Sequence, residues 1–263
     1  MSGDNTNGQA IARAFVEARR NGTALATYPG ERPTTLAQAY AIQDAALDLW
    51  GDRAIGGWKV GKVPPQHQQS LGADRLAGPI FADTVVEAAE GLTLPIFDGG
   101  FAAAEAEFML RLAPPAGATT PPATNEEARR WVDQVRLGIE IASSPWKGIN
   151  DDGPCVTVAD HGNNHGLVLG PVLDEAQWDA IDSIEVGVFF DGEHVNSATT
   201  AAMLDGPFGA VRFLLANLAE RGITPQAGWW VSSGAVTGVH EVNSGTLVHA
   251  TFGPAGTVDV IVD

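Results

Sequence analysis

Cysteine is almost missing from this sequence, Cys155 being the only one in 263 residues. A lone thiol closes no intramolecular disulfide, which excludes a disulfide scaffold and suits a reducing compartment. No signature surrounds Cys155, so it reads as a small packed side chain. Long apolar runs are missing too. No stretch approaches the roughly 20 residues of a membrane helix. The opening "MSGDNTNGQAIARAFVEARR" is polar and then amphipathic, unlike a signal peptide. The expectation is a soluble, cytoplasmic protein with no membrane partner. Basic residues are scarce: 15 Lys and Arg stand against 32 Asp and Glu, for a net charge of −17. Such a chain repels nucleic acid, and no Lys/Arg cluster offsets this. It also repels small anions, so a site for one must reverse the sign locally. Several chemical fingerprints are lacking: a P-loop, a G-x-G-x-x-G after a strand, a G-x-S-x-G elbow and an H-E-x-x-H pair.

Hydrophobic residues are not scarce. At 44% of the chain, with mean hydropathy at zero, they can build a substantial core in one large domain or a domain plus an arm. Residues 9–20 and 34–50 carry apolar side chains at helical spacing, with Thr34 or Thr35 as N-cap of the second. These define a helical N-terminal arm over residues 1–55. From Gly56 the pattern changes to short runs punctuated by Gly and Pro. Strands are expected at 57–61, 101–112, 135–142, 167–169, 184–190, 228–232, 246–252 and 257–262. Asp191-Gly192 reads as a hairpin turn. Helices are expected at 125–134 and 207–221, the latter closed by Gly222. The fold class is α+β, with a mixed β-roll or barrel-like body over residues 56–263.

Within that body, charges sit beside small residues. In "FAAAEAEFML" the even positions are apolar, while Glu105 and Glu107 share the other face, roughly 6 to 7 Å apart along the strand. "VRLGIEIASS" repeats the arrangement: Val135, Leu137, Ile139 and Ile141 on one face, Glu140 on the other between Gly138 and Ala142. In "GGWKVGK", Lys59 lies between Gly57 and Gly61, opposite Trp58 and Val60. A strand wetted on one face would explain any one of these. Three together suggest the wall of one cavity. Three carboxylates without a matching His/Cys set point to a hard cation such as Mg²⁺ or Mn²⁺. His161 and His165 are four apart, but "ADHGNNHG" is rich in Gly and Asn and reads as a polar loop.

"GWKVGK", "AEAEFMLRL" and "GIEIASS", followed by "VADHGNNHGLVLG" and "WWVSSGAVTGVHEVNSG", resemble the fumarylacetoacetate hydrolase superfamily. The likeness runs from about residue 35 and is nearest to the 2-keto-4-pentenoate hydratase and 4-oxalocrotonate decarboxylase branch. It implies that family's mixed β-roll and a homo-oligomer. It also implies Glu105, Glu107 and Glu140 as ligands of Mg²⁺ or Mn²⁺, with Lys59 at the active site. Leu71 and Gly72, in "SLGAD", match the loop that meets the substrate's carboxylate end. The hydratase-type Asp has Ala77 near its place, which leaves Asp74 as a shifted acid/base candidate. "ADHGN" stands where the family carries a hydroxyl, making Asp160 a catalytic candidate and His161 a substrate contact, with Asn163 beside them. Ser233 and Thr237 are the remaining substrate-side candidates.

The activity implied is addition of water to a 2-hydroxy-2,4-dienoate, giving a 4-hydroxy-2-oxo acid in aromatic-compound catabolism. Decarboxylation of a 2-oxo-3-enedioate, hydrolysis of an acylpyruvate and a non-catalytic partner subunit are the alternatives. Lys62 and Lys147 are the basic residues next to the site strands, and Trp58, Phe81, Phe101 and Trp146 lie near them in sequence. This predicts an apolar or mixed pocket and a monoanionic substrate.

Overall fold

The computed structural model describes residues 2–263, with side chains described from residue 6. Two helices come first, α1 (Ser2–Asn21) and α2 (Leu36–Trp50). Ile11, Phe15 and Val16 of α1 pack on Ile42 and Ala46 of α2, as the helical spacing requires. The Thr35 hydroxyl accepts from the Gln38 N–H and so caps α2. The pair is tied to the body by buried polar contacts: the Gln43 amide donates to the carbonyls of Ala77 and Val158.

The chain then runs through β1 (Ile55–Lys62), α3 (Pro65–Leu71), β2 (Arg75–Phe81), β3 (Val85–Glu87) and β4 (Thr93–Leu94). Next come β5 (Phe101–Leu112), α4 (Asn125–Arg129), β6 (Val132–Ser144), α5 (Pro154–Ala159) and β7 (Asn164–Leu173). The last third holds β8 (Val186–Phe190), β9 (Glu193–Ala198), α6 (Gly206–Glu220), β10 (Trp230–Ser232), β11 (His240–Glu241), β12 (Leu247–Phe252) and β13 (Thr257–Val262). One sheet has the order β2-β1-β10-β5-β6-β7-β3, with β11 also on β5. A second has the order β4-β13-β12-β8-β9. The two sheets close over a shared core, where the Phe108 ring of β5 meets Phe252 of β12 edge-on at 5.4 Å. This is the mixed α+β roll expected from the sequence. Among the described residues, no helix is long and apolar enough to cross a membrane.

Strand β5 spans the residues anticipated, and Asp191-Gly192 turns β8 into β9. Other boundaries moved for identifiable reasons. The helix expected over 125–134 stops at Arg129, because Val132 already pairs with Leu112 in the β5–β6 ladder. Strand β2 was not foreseen, since "RLAGPIF" contains Gly78 and Pro79. It lies at the edge of its sheet, where a proline need not donate outward.

Gly78 has a specific steric role. A Cβ there would lie 2.1 Å from the His161 carbonyl oxygen and 2.6 Å from the Gly162 nitrogen. The opposing turn cannot easily yield, because His161, Gly162 and Asn163 all have positive φ. Overpacking of this kind costs about 1–3 kcal/mol, and each kcal/mol moves Tm by about 2–4 °C in a chain of this size. Gly78→Ala should therefore lower Tm by several degrees in a thermal melt. An unchanged Tm would contradict the contact between β2 and the 161–163 turn.

Candidate active site and metal centre

Antiparallel pairing of β5 with β6 sets Glu105 opposite Glu140 and Glu107 opposite Gly138. Period-2 alternation does the rest, aiming the three carboxylates out of one face. One oxygen of each lies within 4.8 Å of the others, and all three side chains are buried. The Ser232 hydroxyl donates to Glu107 Oε2, as does the Gly234 N–H at 2.9 Å. Asn164 Nδ2 donates to Glu140 Oε1 at 2.8 Å. Lys59 Nζ, equally buried, stands 3.0 Å from that same oxygen and donates to Asn163 Oδ1 at 3.3 Å. Glu107 Oε1 has no hydrogen-bond partner among the described residues.

The charges do not balance. Three carboxylates face one ammonium, which leaves two negative charges in a water-poor site if all ionise. Burial, resisted by Lys59 and reinforced by Glu140, pushes the Glu105 carboxyl up to about 7. Burial together with the charges of Glu140 and Glu105 pushes Glu107 well above the usual carboxylate range. Burial acts against the Lys59 charge, yet the three carboxylates, Glu140 foremost, hold it above the ordinary lysine range. An all-oxygen donor set, an orphaned buried carboxylate oxygen and a surplus of two negative charges fit a hard divalent cation. Glu105, Glu107 and Glu140 would hold it.

A cavity of about 680 Å³ opens in front of the cluster. Lys59, Glu105 and Asn163 line its inner end, with Ser233 and Thr237 on the wall. The Ser233 hydroxyl is buried and has no partner among the described residues. Val60, Leu76, Met203 and Val236 supply an aliphatic side. The four aromatic residues expected there are elsewhere. Trp58 and Phe101 are buried in apolar clusters, Phe81 packs on Trp50 and Trp146 packs on Tyr28.

Several candidates are not brought to this cavity. Asp74 is exposed, and it is its carbonyl that is engaged, accepting from the Val63 N–H. Leu71 and Gly72 end α3 outside the cavity wall, and the exposed Lys147 does not line the cavity either. Asp160 lies behind the site, gripped by Arg19 Nε at 2.5 Å, Arg19 Nη2 at 2.8 Å and the Ser144 hydroxyl at 2.7 Å. Burial opposes its charge, but Arg19 and His161 outweigh it and hold the carboxyl well below its usual range. It is poorly suited to exchange protons. His161 Nε2 accepts from the Trp50 indole at 3.0 Å, while Nδ1 faces Asp160 Oδ1 at 3.4 Å. Both nitrogens are engaged, and His161 is not among the residues lining the cavity.

Sequence reasoning missed Ser232, Asn164 and Arg75. Arg75, on the unforeseen β2, is buried and lines the cavity. A serine pair ending a Trp-rich strand was the one available signal for Ser232.

No model of a known protein family matches the chain. Two curated proteins do, the 2-keto-4-pentenoate hydratase of Paraburkholderia xenovorans and 2-keto-4-pentenoate hydratase 3 of Pseudomonas putida. Each is 28% identical over 256 residues, covering 94% of this chain and 91% of the relative. A solved structure of 4-oxalocrotonate decarboxylase from Pseudomonas putida G7, complexed with magnesium and adipate, superposes with a TM-score of 0.81 at 21% identity, over 97% of both chains. In sequence the chain is similar to these hydratases, and it shares the fold of the decarboxylase. The two sequence relatives are enzymes that act on a small molecule. A divalent metal accords with the acidic triad and with the magnesium of that decarboxylase structure.

The raised carboxyls give a signed pH dependence. A carboxyl with a raised folded pKa stabilises the fold at low pH, and that contribution is lost as pH rises through the folded value. For Glu105 the window runs from about 4.5 to about 7. Metal-free protein should lose stability across that window, and Mg²⁺ should restore it by pairing with the ionised triad. Thermal melts at pH 5 and pH 8, in EDTA and in Mg²⁺, should show the larger Mg²⁺-induced rise in Tm at pH 8. A rise independent of pH would contradict the electrostatics.

Proposed function

We propose that this protein is a divalent-metal-dependent hydratase that adds water to a 2-hydroxy-2,4-dienoate and yields a 4-hydroxy-2-oxo acid. The observation that carries the proposal is the buried Glu105–Glu107–Glu140 cluster with Lys59 at the inner end of an open cavity. The hydratase relatives support it. The dienol must first become an α,β-unsaturated 2-oxo acid before water can add at C4, and negative charge collects on the C2 oxygen in both steps. A divalent ion on the triad would supply Lewis-acid stabilisation of that charge.

The protein's own groups have separable tasks. Lys59 is kept as an ammonium by the carboxylates and can donate a hydrogen bond or a proton towards the C2 oxygen. Ser232 and Asn164 fix the orientation of Glu107 and Glu140. The unpartnered Ser233 hydroxyl can bind the substrate's head group. The aliphatic wall suits a diene chain. Decarboxylation of a 2-oxo-3-enedioate is the second reading, favoured by the fold likeness to the decarboxylase. Loss of CO₂ puts charge on the same C2 oxygen, so the same residues would serve.

Glu107→Gln should fold, yet lose Mg²⁺ or Mn²⁺ binding and activity. Calorimetry showing unchanged metal affinity would sink the metal-site assignment. Lys59→Met should retain metal but lose a factor of about 10² to 10⁴ in kcat, the usual worth of acid–base assistance. Near-normal turnover by this variant would remove Lys59 from the chemistry.

A further inference from the structure

The triad and Lys59 meet the head of the substrate, but water has to lose a proton at C4, further out in the cavity. Neither acid/base candidate from the sequence is there, since Asp74 is exposed off the cavity wall and Asp160 is saturated by Arg19. Among the described residues lining the cavity, only Glu105 and His67 are of a type that accepts a proton near neutral pH, lysine and arginine side chains being cations there. Glu105 belongs to the triad. His67 remains.

Its place is set by the turn from β1 into α3. The Gln68 amide donates to the Val63 carbonyl at 2.8 Å and the His67 N–H to the Pro64 carbonyl at 2.9 Å, which holds the short helix on the end of the strand. His67 and Gln68 are half-buried while Pro65, Gln66, Gln69 and Ser70 are exposed, so His67 is on the inward side of α3. Its ring leans on Gly153, where a Cβ would lie 4.0 Å from both Cε1 and Nε2. Among the described residues the ring has no hydrogen-bond or ion-pair partner, so both nitrogens are open to a bound molecule. A line of polar groups joins this point to Lys59. Lys59 Nζ donates to Asn163 Oδ1 at 3.3 Å, Asn163 Nδ2 donates to Asn150 Oδ1 at 3.5 Å, and Asn150 lies three residues before Gly153. All of these residues line the cavity. A substrate whose head is at Lys59 and whose chain follows this wall outward runs towards His67.

We propose that His67 is the general base that takes the proton from the water attacking C4. The inference rests on the hydratase reading. As the bond from the water oxygen to C4 forms, one water proton passes to an imidazole nitrogen. The C3=C4 π pair moves to C2=C3, and the C2=O pair moves onto the C2 oxygen. Collapse of that enolate restores C2=O and forms C3–H with the proton returned by the imidazolium. The product carries the hydroxyl at C4 and the new hydrogen at C3, nothing is oxidised or reduced, and the histidine begins and ends neutral. Histidine suits both halves of this exchange because its charge changes in the neutral range.

One compound, 2-oxopent-3-enoate, separates the water step from the rest of the site. Proton magnetic resonance in D₂O follows both its hydration at C4 and the exchange of its C5 hydrogens, which needs the head-group machinery but no attacking water. In Mg²⁺-loaded His67→Gln protein, kcat for hydration should fall by a factor of about 10² to 10⁴. Mg²⁺ affinity, measured by calorimetry, and the rate of C5 exchange should stay close to those of the unaltered protein. Near-normal hydration by the variant would overturn the assignment of His67, and so would an equal loss of hydration and C5 exchange. An unaltered protein that neither hydrates the compound nor exchanges its C5 hydrogens would overturn the hydratase reading and this inference with it, a pattern distinct from any change confined to the variant.

Discussion

Three carboxylates share a space from which water is largely excluded, with one ammonium to answer them. Most of what surrounds the site serves that imbalance. The β5–β6 register sets Glu105 against Glu140, and Ser232, the Gly234 N–H and Asn164 direct hydrogen bonds at the carboxylates. Lys59 is fixed between Glu140 and Asn163. Such a cluster is unfavourable in isolation, and a doubly charged cation is the simplest group that would relieve it.

The N-terminal helices belong to the same account. Arg19 of α1 grips Asp160 and also donates to the carbonyls of Ser143 and Asn164. Trp50 of α2 donates to His161. These contacts hold the left-handed turn from which Asn163 and Asn164 reach Lys59 and Glu140. Asp160 and His161 look chemical in the sequence, but in the fold they join the helices to the site.

What was legible in the sequence was what depends on period. Alternation along residues 101–112 placed Glu105 and Glu107 together on one face, and small residues beside Glu140 and Lys59 marked a hollow. What depends on long-range contact was not legible. The bond between Lys59 and Asn163 joins residues 104 apart, and the one from Ser232 to Glu107 joins residues 125 apart. β2 was hidden because Gly78 and Pro79 read as a turn, although one answers the close approach of the 161–163 turn and the other is tolerated at a sheet edge. With β2 went Arg75, which lines the cavity. Nearby aromatic residues suggested an apolar lining, but their rings are spent on packing.

The central claim is that the triad is a cation site, and locating the cation tests it most directly. Crystals grown with Mn²⁺ should give an anomalous-difference peak bounded by oxygens of Glu105, Glu107 and Glu140, with Lys59 displaced from none of its partners except Glu140. No peak at the triad under saturating Mn²⁺, or a peak only elsewhere on the molecule, would contradict the account.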